Sequence, residues 1–312
     1  MNSLLPSLAE LIALRATLGR THLGHSLRLP PSVLGRAMGA HLSSASGSGM
    51  EFAETRPYQT GDDLRSMDWR QTARRGKPFT KRYQAERERP LALLLDQSSS
   101  MQFGSRVTFK SVLAARAAAL LAWQAAASGD RVGGGLCRVT DSGQAIFALL
   151  PSQRGTRGVL ALLELMVRVD AVGAQSGGLL VALHALAERN RPGGRLVILS
   201  DFHCVDKEWP ALTLALQRLA RHQSLSLIQI FDPLEVHPPP PNNYALADAQ
   251  QVWQLDLSDP LLRAAWGHPY RTRYAALAAL AQSLPANHLP LSTAAPLDEV
   301  LLSCSAAQRR HP

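Results

Sequence analysis

LALLLD, Leu91–Asp96, runs straight into Gln97-Ser98-Ser99-Ser100-Met101. Five consecutive apolar residues closed by an acid lack polar alternation, so a strand made of them needs cover on both faces, as a central parallel strand does. The serine cluster then opens a loop. RLVILSDF, Arg195–Phe202, repeats the arrangement, an apolar strand ending at Asp201. Between the two, the pattern predicts a helix from Ser105 or Val107 to Ala127, rich in alanine and leucine, and strands at Arg131–Val139 and Gln144–Leu149. Helices follow at Thr156–Val169 and Gly178–Arg189; beyond the second apolar strand come a helix at Trp209–His222 and a strand at Ser224–Asp232. Strands alternating with helices of this length specify an α/β fold with a doubly wound, mostly parallel sheet. Ligands of such sheets sit beyond the carboxyl ends of the strands, which puts Asp96 and Asp201 on one rim.

Working outward, Leu4, Leu8, Leu11, Ile12 and Leu14 recur at helical spacing and predict an amphipathic helix over the first eighteen residues. The small, polar segment His41–Phe52 reads as a loop, and the charge-dense run Arg56–Arg89 as an irregular collar with a short strand around Phe79–Tyr83. Four prolines, Pro238–Pro241, break the chain after the Ser224–Asp232 strand. A small hairpin at Ala245–Asp256, a long helix at Pro260–Leu284, a short strand at Leu289–Ser292 and a terminal helix at Leu297–Leu302 complete the reading. The expected organisation is an amino-terminal helical and collar region, 1–88, an α/β domain, 89–303, with its hairpin near 245–257, and a flexible tail, 304–312.

A chain of 312 residues with 46% hydrophobic and 18% charged residues is long enough to bury a sizeable core, which excludes a disordered or coiled-coil description of the whole. The formal net charge is +9, but only four of the 33 basic residues are lysines, so the balance by itself is a poor footprint for nucleic acid. Cys137, Cys204 and Cys304 are scattered and odd in number, unlike a zinc site or a disulfide framework. With no leader-like start and no run of 18 apolar residues, the expectation is a soluble cytoplasmic protein without a membrane span.

The rim carries the clearest chemistry. Asp96, Ser98 and Ser100 alternate along a loop leaving a strand tip, and offer one carboxylate and two hydroxyls that suit magnesium, with Asp201 as a second carboxylate. Equally, Asp96 and the serines can cap the helix that follows. His203 and Cys204 lie next to Asp201, but adjacent residues do not share a face and no third group orients them, so neither reads as a nucleophile.

The Asp-Gln-Ser-Ser-Ser-Met stretch after LALLL resembles the metal-ion-dependent adhesion site of von Willebrand factor A domains. More specifically, SGSGMEFAE, the run RPYQTGDDLRSMDWRQTARRGKPFTKRY at Arg56–Tyr83, QAERERPLALLLDQSSSMQFG and LVILSDF are together similar to the bacterial family called domain of unknown function 58. The resemblance spans roughly residues 40–235. It implies a von Willebrand factor A-like sheet, a magnesium site built from Asp96, Ser98, Ser100 and Asp201, and partnership with a MoxR-type AAA+ ATPase as an adaptor. In that pattern the metal leaves one position for an acidic side chain of a protein ligand. The family's site also includes a threonine from the loop that here reads Ala174-Gln175-Ser176-Gly177, where Ser176 is the substitute, so the site is expected to be degenerate.

The collar, Arg56, Tyr58, Gly61, Asp62, Asp63, Arg65, Asp68, Trp69, Arg70 and Arg74, mixes opposite charges at close spacing. One reading is an internal network of arginine–carboxylate pairs with Trp69 supplying buried area; the other is a surface for the partner. Two rival functions remain. A nucleic-acid module would use Arg74, Arg75, Lys77, Lys81, Arg82, Arg87 and Arg89 with Phe79 and Tyr83, although the nearby acids Glu86 and Glu88 weaken that footprint. A metal-dependent hydrolase would gather Asp62, Asp63, Asp68 and Asp96, but nothing is placed as its acid or base. No glycine-rich loop ends in lysine and serine or threonine, so the chain does not read as a P-loop ATPase.

Overall fold

The computed structural model describes residues 6–20, 50–59, 62–85, 90–139, 145–168, 178–188, 193–203, 205–247, 252–284 and 286–294. They group into two compact units, one holding the sheet and one, between Met38 and Glu88, holding the collar.

In the sheet unit the order is helix α1 (Leu8–Arg20) and then, after the collar's β1 (Met50–Pro57), α2 (Trp69–Arg75) and β2 (Phe79–Ala85), strand β3 (Leu91–Asp96) and helix α3 (Lys110–Ala127). Strands β4 (Arg131–Val139) and β5 (Ala145–Arg154) follow, with helices α4 (Gly155–Arg168) and α5 (Gly178–Glu188), β6 (Arg195–Ser200), α6 (Val205–Ala220) and β7 (Ser224–Phe231). A short helix α7 (Pro233–Val236), the hairpin β8 (Asn243–Ala247) and β9 (Val252–Asp256), helices α8 (Pro260–Ala265) and α9 (His268–Ser283), and β10 (Ala286–Ser292) close the unit. Six strands form the main sheet in the order β10-β7-β6-β3-β4-β5. Every neighbouring pair is parallel except β4 with the edge strand β5. The doubly wound, mostly parallel expectation therefore holds.

The apolar run at Leu91–Asp96 is central because its alternate side chains feed two separate cores. Leu91, Leu93 and Leu95 pack with Val197, Leu199, Ile228 and Ile230 under α1, α3 and α4. Leu94 joins Leu196, Ile198, Leu225 and Leu227 on the opposite face, under α5, α6 and α9. Full burial of each such leucine stabilises the fold by about 1.5–3 kcal/mol, so β3 cannot be moved to an edge without losing one side. Helix α3 buries Ala114, Ala115, Ala117, Ala118, Ala119 and Ala122, whose small side chains make a smooth face on this helix. On β4, Gly134 takes φ +147°, and an added Cβ would meet the Leu93 carbonyl oxygen at 2.0 Å; the register shift between Val132 and Gly134 sits at this close approach.

Several boundaries differ from the sequence reading. Helix α1 groups with the sheet unit and not with the collar: Leu11 is buried, its carbonyl oxygen accepts the Trp123 indole N–H at 3.1 Å, and Glu10 pairs with Arg116. Strand β5 continues to Arg154, five residues past the expected end. The single helix expected over Pro260–Leu284 is two, because Gly267 breaks it and Pro269 restarts it as a proline in the first turn. The hairpin falls where it was expected, with β8 and β9 antiparallel. The terminal helix at Leu297–Leu302 and the tail lie outside the described residues.

The collar unit is more regular than expected. Strands β1 and β2 pair antiparallel from Met50–Ala85 to Pro57–Phe79, with a 3-10 turn at Leu64–Ser66 and α2 between them. Met50–Phe52, read from composition as loop, is the start of β1, since partnering by β2 overrides the small, polar local sequence.

Candidate functional site

Asp96 and Asp201 stand at the carboxyl ends of adjacent strands, β3 and β6, which pair in parallel register up to Leu95 and Leu199. Both are buried, at 4% and 2% exposure, with Ser98 beside them. The Ser98 N–H donates to Asp96 Oδ1 at 2.9 Å, and the Ser200 hydroxyl donates to Asp96 Oδ2 at 2.6 Å. Ser98 Oγ and Ser100 Oγ lie 3.0 Å apart. The Asp201 Oδ1 atom accepts the His203 N–H at 3.0 Å. Phe202, buried between them, has φ +53°, a conformation that costs a non-glycine residue about 1–3 kcal/mol and is found at functional turns.

The third participant, not foreseen from sequence, is Lys110, the first residue of α3. Its ammonium lies 2.7 Å from Asp201 Oδ2 and 3.0 Å from Glu235 Oε1, and 5.8 Å from the centre of the Phe103 ring. Glu235 belongs to the turn after β7, where Asp232 and Glu235 form a reciprocal capping box. Asp232 is buried and accepts from both the N–H and the hydroxyl of Ser105, from Thr293 Oγ1 at 2.5 Å and from the Leu234 N–H at 2.9 Å. Three loops, those after β3, β6 and β7, are thus tied together on one edge.

Electrostatics divide the two aspartates. Burial, and next the charge of Asp201, push Asp96 up to about 6 despite the donors from Ser200 and Ser98. Burial also raises Asp201, but the Lys110 charge and hydrogen bond, with donors from His203 and Ser100, outweigh it and hold the group below the usual carboxylate range. Burial lowers Lys110, and the charges of Asp201 and Glu235 more than restore it. The less compensated negative charge is therefore on the Asp96 side.

That side fits a small hard cation. Two hydroxyl oxygens 3.0 Å apart match one edge of an octahedron with metal–oxygen distances of about 2.1 Å, and each Asp96 oxygen retains a lone pair after the hydrogen bonds above. Among the described residues, no group of three or more histidine, cysteine or acidic side chains is arranged to hold a metal, so the set depends on its serines. Ser176 lies outside the described residues, as does Cys204. Cys137 is buried in β4 with its thiol toward the Leu95 carbonyl oxygen, the role of a small core residue.

In the collar, Arg56 Nη2 meets Asp62 Oδ1 at 2.6 Å, while Asp62 Oδ2 accepts the Gln59 N–H. Asp63 caps the 3-10 turn through the Arg65 N–H, and Asp68 caps α2 through the N–H groups of Arg70 and Gln71. The acids thus serve chiefly as caps, and Asp62 also pairs with Arg56. The Tyr58 N–H donates to the Pro78 carbonyl oxygen at 2.9 Å. Arg65, Arg70 and Arg74 are exposed. Trp69 corrects the reading in which it supplies buried area: it is 69% exposed on a two-turn helix. Gly61 lies outside the described residues, and the side chains of 82–89, the second half of the basic segment, are likewise undescribed. Asp62, Asp63 and Asp68 each hold local turns of the collar.

An α/β sheet with buried acids and hydroxyls on its carboxyl edge defines the class. The chain belongs to the family described as protein of unknown function DUF58, whose model matches residues 54–276. It is 33% identical over 228 residues to the uncharacterized protein Rv1480 of Mycobacterium tuberculosis, covering 72% of this chain and 69% of that one. The uncharacterized protein Mb1516 of Mycobacterium bovis matches to the same extent. Among solved structures it is similar to the conserved hypothetical protein BatB from Bacteroides thetaiotaomicron, with TM-score 0.41, 11% identity, and coverage of 71% of this chain and 98% of that one. It is also similar to a von Willebrand factor type A structure from Catenulispora acidiphila, with TM-score 0.40, 14% identity, and coverage of 73% and 43%. Within the chain itself, the central parallel strand that opens into Asp96-Gln97-Ser98-Ser99-Ser100 agrees with the von Willebrand factor A-like reading. Among the described residues no helix is long and apolar enough to cross a membrane.

Proposed function

We propose that this chain is a non-enzymatic, cytoplasmic protein-interaction module, an adaptor for a MoxR-type AAA+ ATPase in the assembly or maturation of another complex, which docks through the carboxyl edge of its sheet. The observation that carries the reading is the convergence of buried Asp96, Ser98 and Asp201 with half-buried Ser100 from two adjacent strand ends into one group. The partner class is carried by family resemblance alone.

In this reading magnesium is held by Asp96, Ser98 and Ser100, with Asp201 behind them and Ser176 as the nearest substitute for the family's threonine. Bound there, the ion supplies an electrophilic position for an acidic side chain of a protein ligand. The chain's own residues do the remaining work. Ser200 and the Ser98 N–H fix the rotamer of Asp96, and the His203 N–H fixes Asp201. The strained Phe202 turn presents that N–H. Burial of both acids keeps bulk water from screening the interaction. Collar residues such as Arg65, Arg70 and Trp69, exposed on their own unit, are available as further partner contacts.

Calorimetric titration of the full chain with a MoxR-type ATPase from the same organism tests this. Binding is expected with magnesium, and at least tenfold weaker binding with a chelator or with Asp96→Ala folded as the parent. Equal affinity in all three conditions contradicts the metal-assisted mechanism; absence of binding in all of them contradicts the partnership.

A further inference from the structure

Lys110 is 1% exposed, and an ammonium so deeply buried is tolerated only where fixed negative groups replace its water. Here Asp201 at 2.7 Å, Glu235 at 3.0 Å and the Phe103 ring do so. The position is held from the backbone as well, since the Lys110 N–H donates to the Phe103 carbonyl oxygen at 2.9 Å, closing the last part of the loop after β3. The ammonium therefore bridges the loop after β3, the Asp201 turn after β6 and the Glu235 turn after β7. Lysine suits the place because its compact ammonium donates in three directions.

From this geometry we propose that Lys110 is the resident cation of the rim: it occupies the Asp201 side in place of a metal, keeps the three loops assembled without one, and sets how strongly a divalent ion binds on the Asp96 side. The last part rests on the magnesium reading above; the first two do not. Two carboxylates, Asp201 and Glu235, face the ammonium, and Asp96 lies close enough to Asp201 to feel its charge. Removing the ammonium frees Asp201 Oδ2 as a ligand and makes the group more negative, and both changes favour a divalent ion.

The test uses the full chain and magnesium chloride itself as the probe, with thermal unfolding and calorimetric titration of the parent, Lys110→Met and Lys110→Arg. For the parent, the melting temperature is expected to be the same within about 1 °C in chelator and in magnesium-free buffer. Lys110→Met is expected to bind magnesium at least tenfold more tightly than the parent, and to melt higher when magnesium is added. Lys110→Arg, which keeps the charge, is expected to stay as weak as the parent. A parent protein that loses several degrees in chelator overturns the proposal, as does a Lys110→Met protein that binds magnesium no more tightly. Should Lys110→Met fold in no condition, the parent's melting behaviour in chelator decides alone. A parent that binds no magnesium, beside a Lys110→Met protein that does, removes the magnesium reading of the native rim and leaves the role of Lys110 standing.

Discussion

At Gly134 the backbone has no room for a side chain, because an added Cβ would lie 2.0 Å from the Leu93 carbonyl oxygen and φ is +147°. Gly134→Ala is expected to lose at least about 1–3 kcal/mol of stability, read from the midpoint of urea unfolding. Leu94, fully buried on the face opposite Leu93 and Leu95, gives the complementary case: Leu94→Ala is expected to cost about 2–5 kcal/mol, and an unchanged midpoint would contradict the two-core account of β3. At this scale the sequence is legible where a residue's chemistry and its place on a strand tip coincide. Asp96, Ser98, Ser100 and Asp201 follow from that coincidence. Lys110 does not, because a lysine at the start of an alanine-rich helix ordinarily projects into water, and only the tertiary fold brings Asp201 and Glu235 to it. Its one sequence signal is that it is a rare lysine in a chain that otherwise prefers arginine. Trp69 is the opposite case: its apolar bulk alone favours the interior, but a two-turn helix has an outer side, and Trp69 lies on it.

The turn after β7 works as a clasp, joining the Ser105 loop and the end of β10 to Asp232. Burial pushes Asp232 up, but the hydrogen bonds from Ser105 and Thr293 and the N–H groups of Ser105 and Leu234 leave it below the usual carboxylate range. The unfolded chain therefore takes up this proton first. The stabilising contribution is present above about pH 4 and is lost as pH falls through the lower folded value. Asp232→Asn is expected to melt lower at neutral pH and to lose less on acidification below pH 4 than the parent; part of the acid loss remains, since Asp201, held low by Lys110, acts in the same window. Equal acid sensitivity of the two proteins would contradict the clasp. Helix α1 offers a second check on an element. Leu11→Ala removes a side chain buried in the sheet unit's core while leaving the backbone bond to Trp123, and is expected to cost about 2–5 kcal/mol, whereas a loss below about 0.5 kcal/mol would mean that α1 is dispensable to the sheet unit. Periodicity located α1 but not its attachment, because a core-facing helix and an interface helix share one pattern. The same limit applies to β1, whose small, polar start is strand only through its pairing with β2.

For the whole molecule, the alternation of apolar strands and helices was enough to give the sheet, β4 and β5 were legible as strands but their antiparallel pairing at the edge was not, and the rim followed from the rule for parallel sheets. The tying of three loops into that rim was not legible, because it depends on Lys110, Asp232 and Glu235, whose partners are up to 127 residues away. The carboxyl edge of the sheet is the proposed docking surface. Hydrogen exchange of the full chain, alone and saturated with a MoxR-type ATPase in magnesium, tests it most directly. The account predicts new protection at 97–109, 200–203 and 232–236. Protection confined to the hairpin at 243–256, with the rim exchanging as in the free protein, would contradict it.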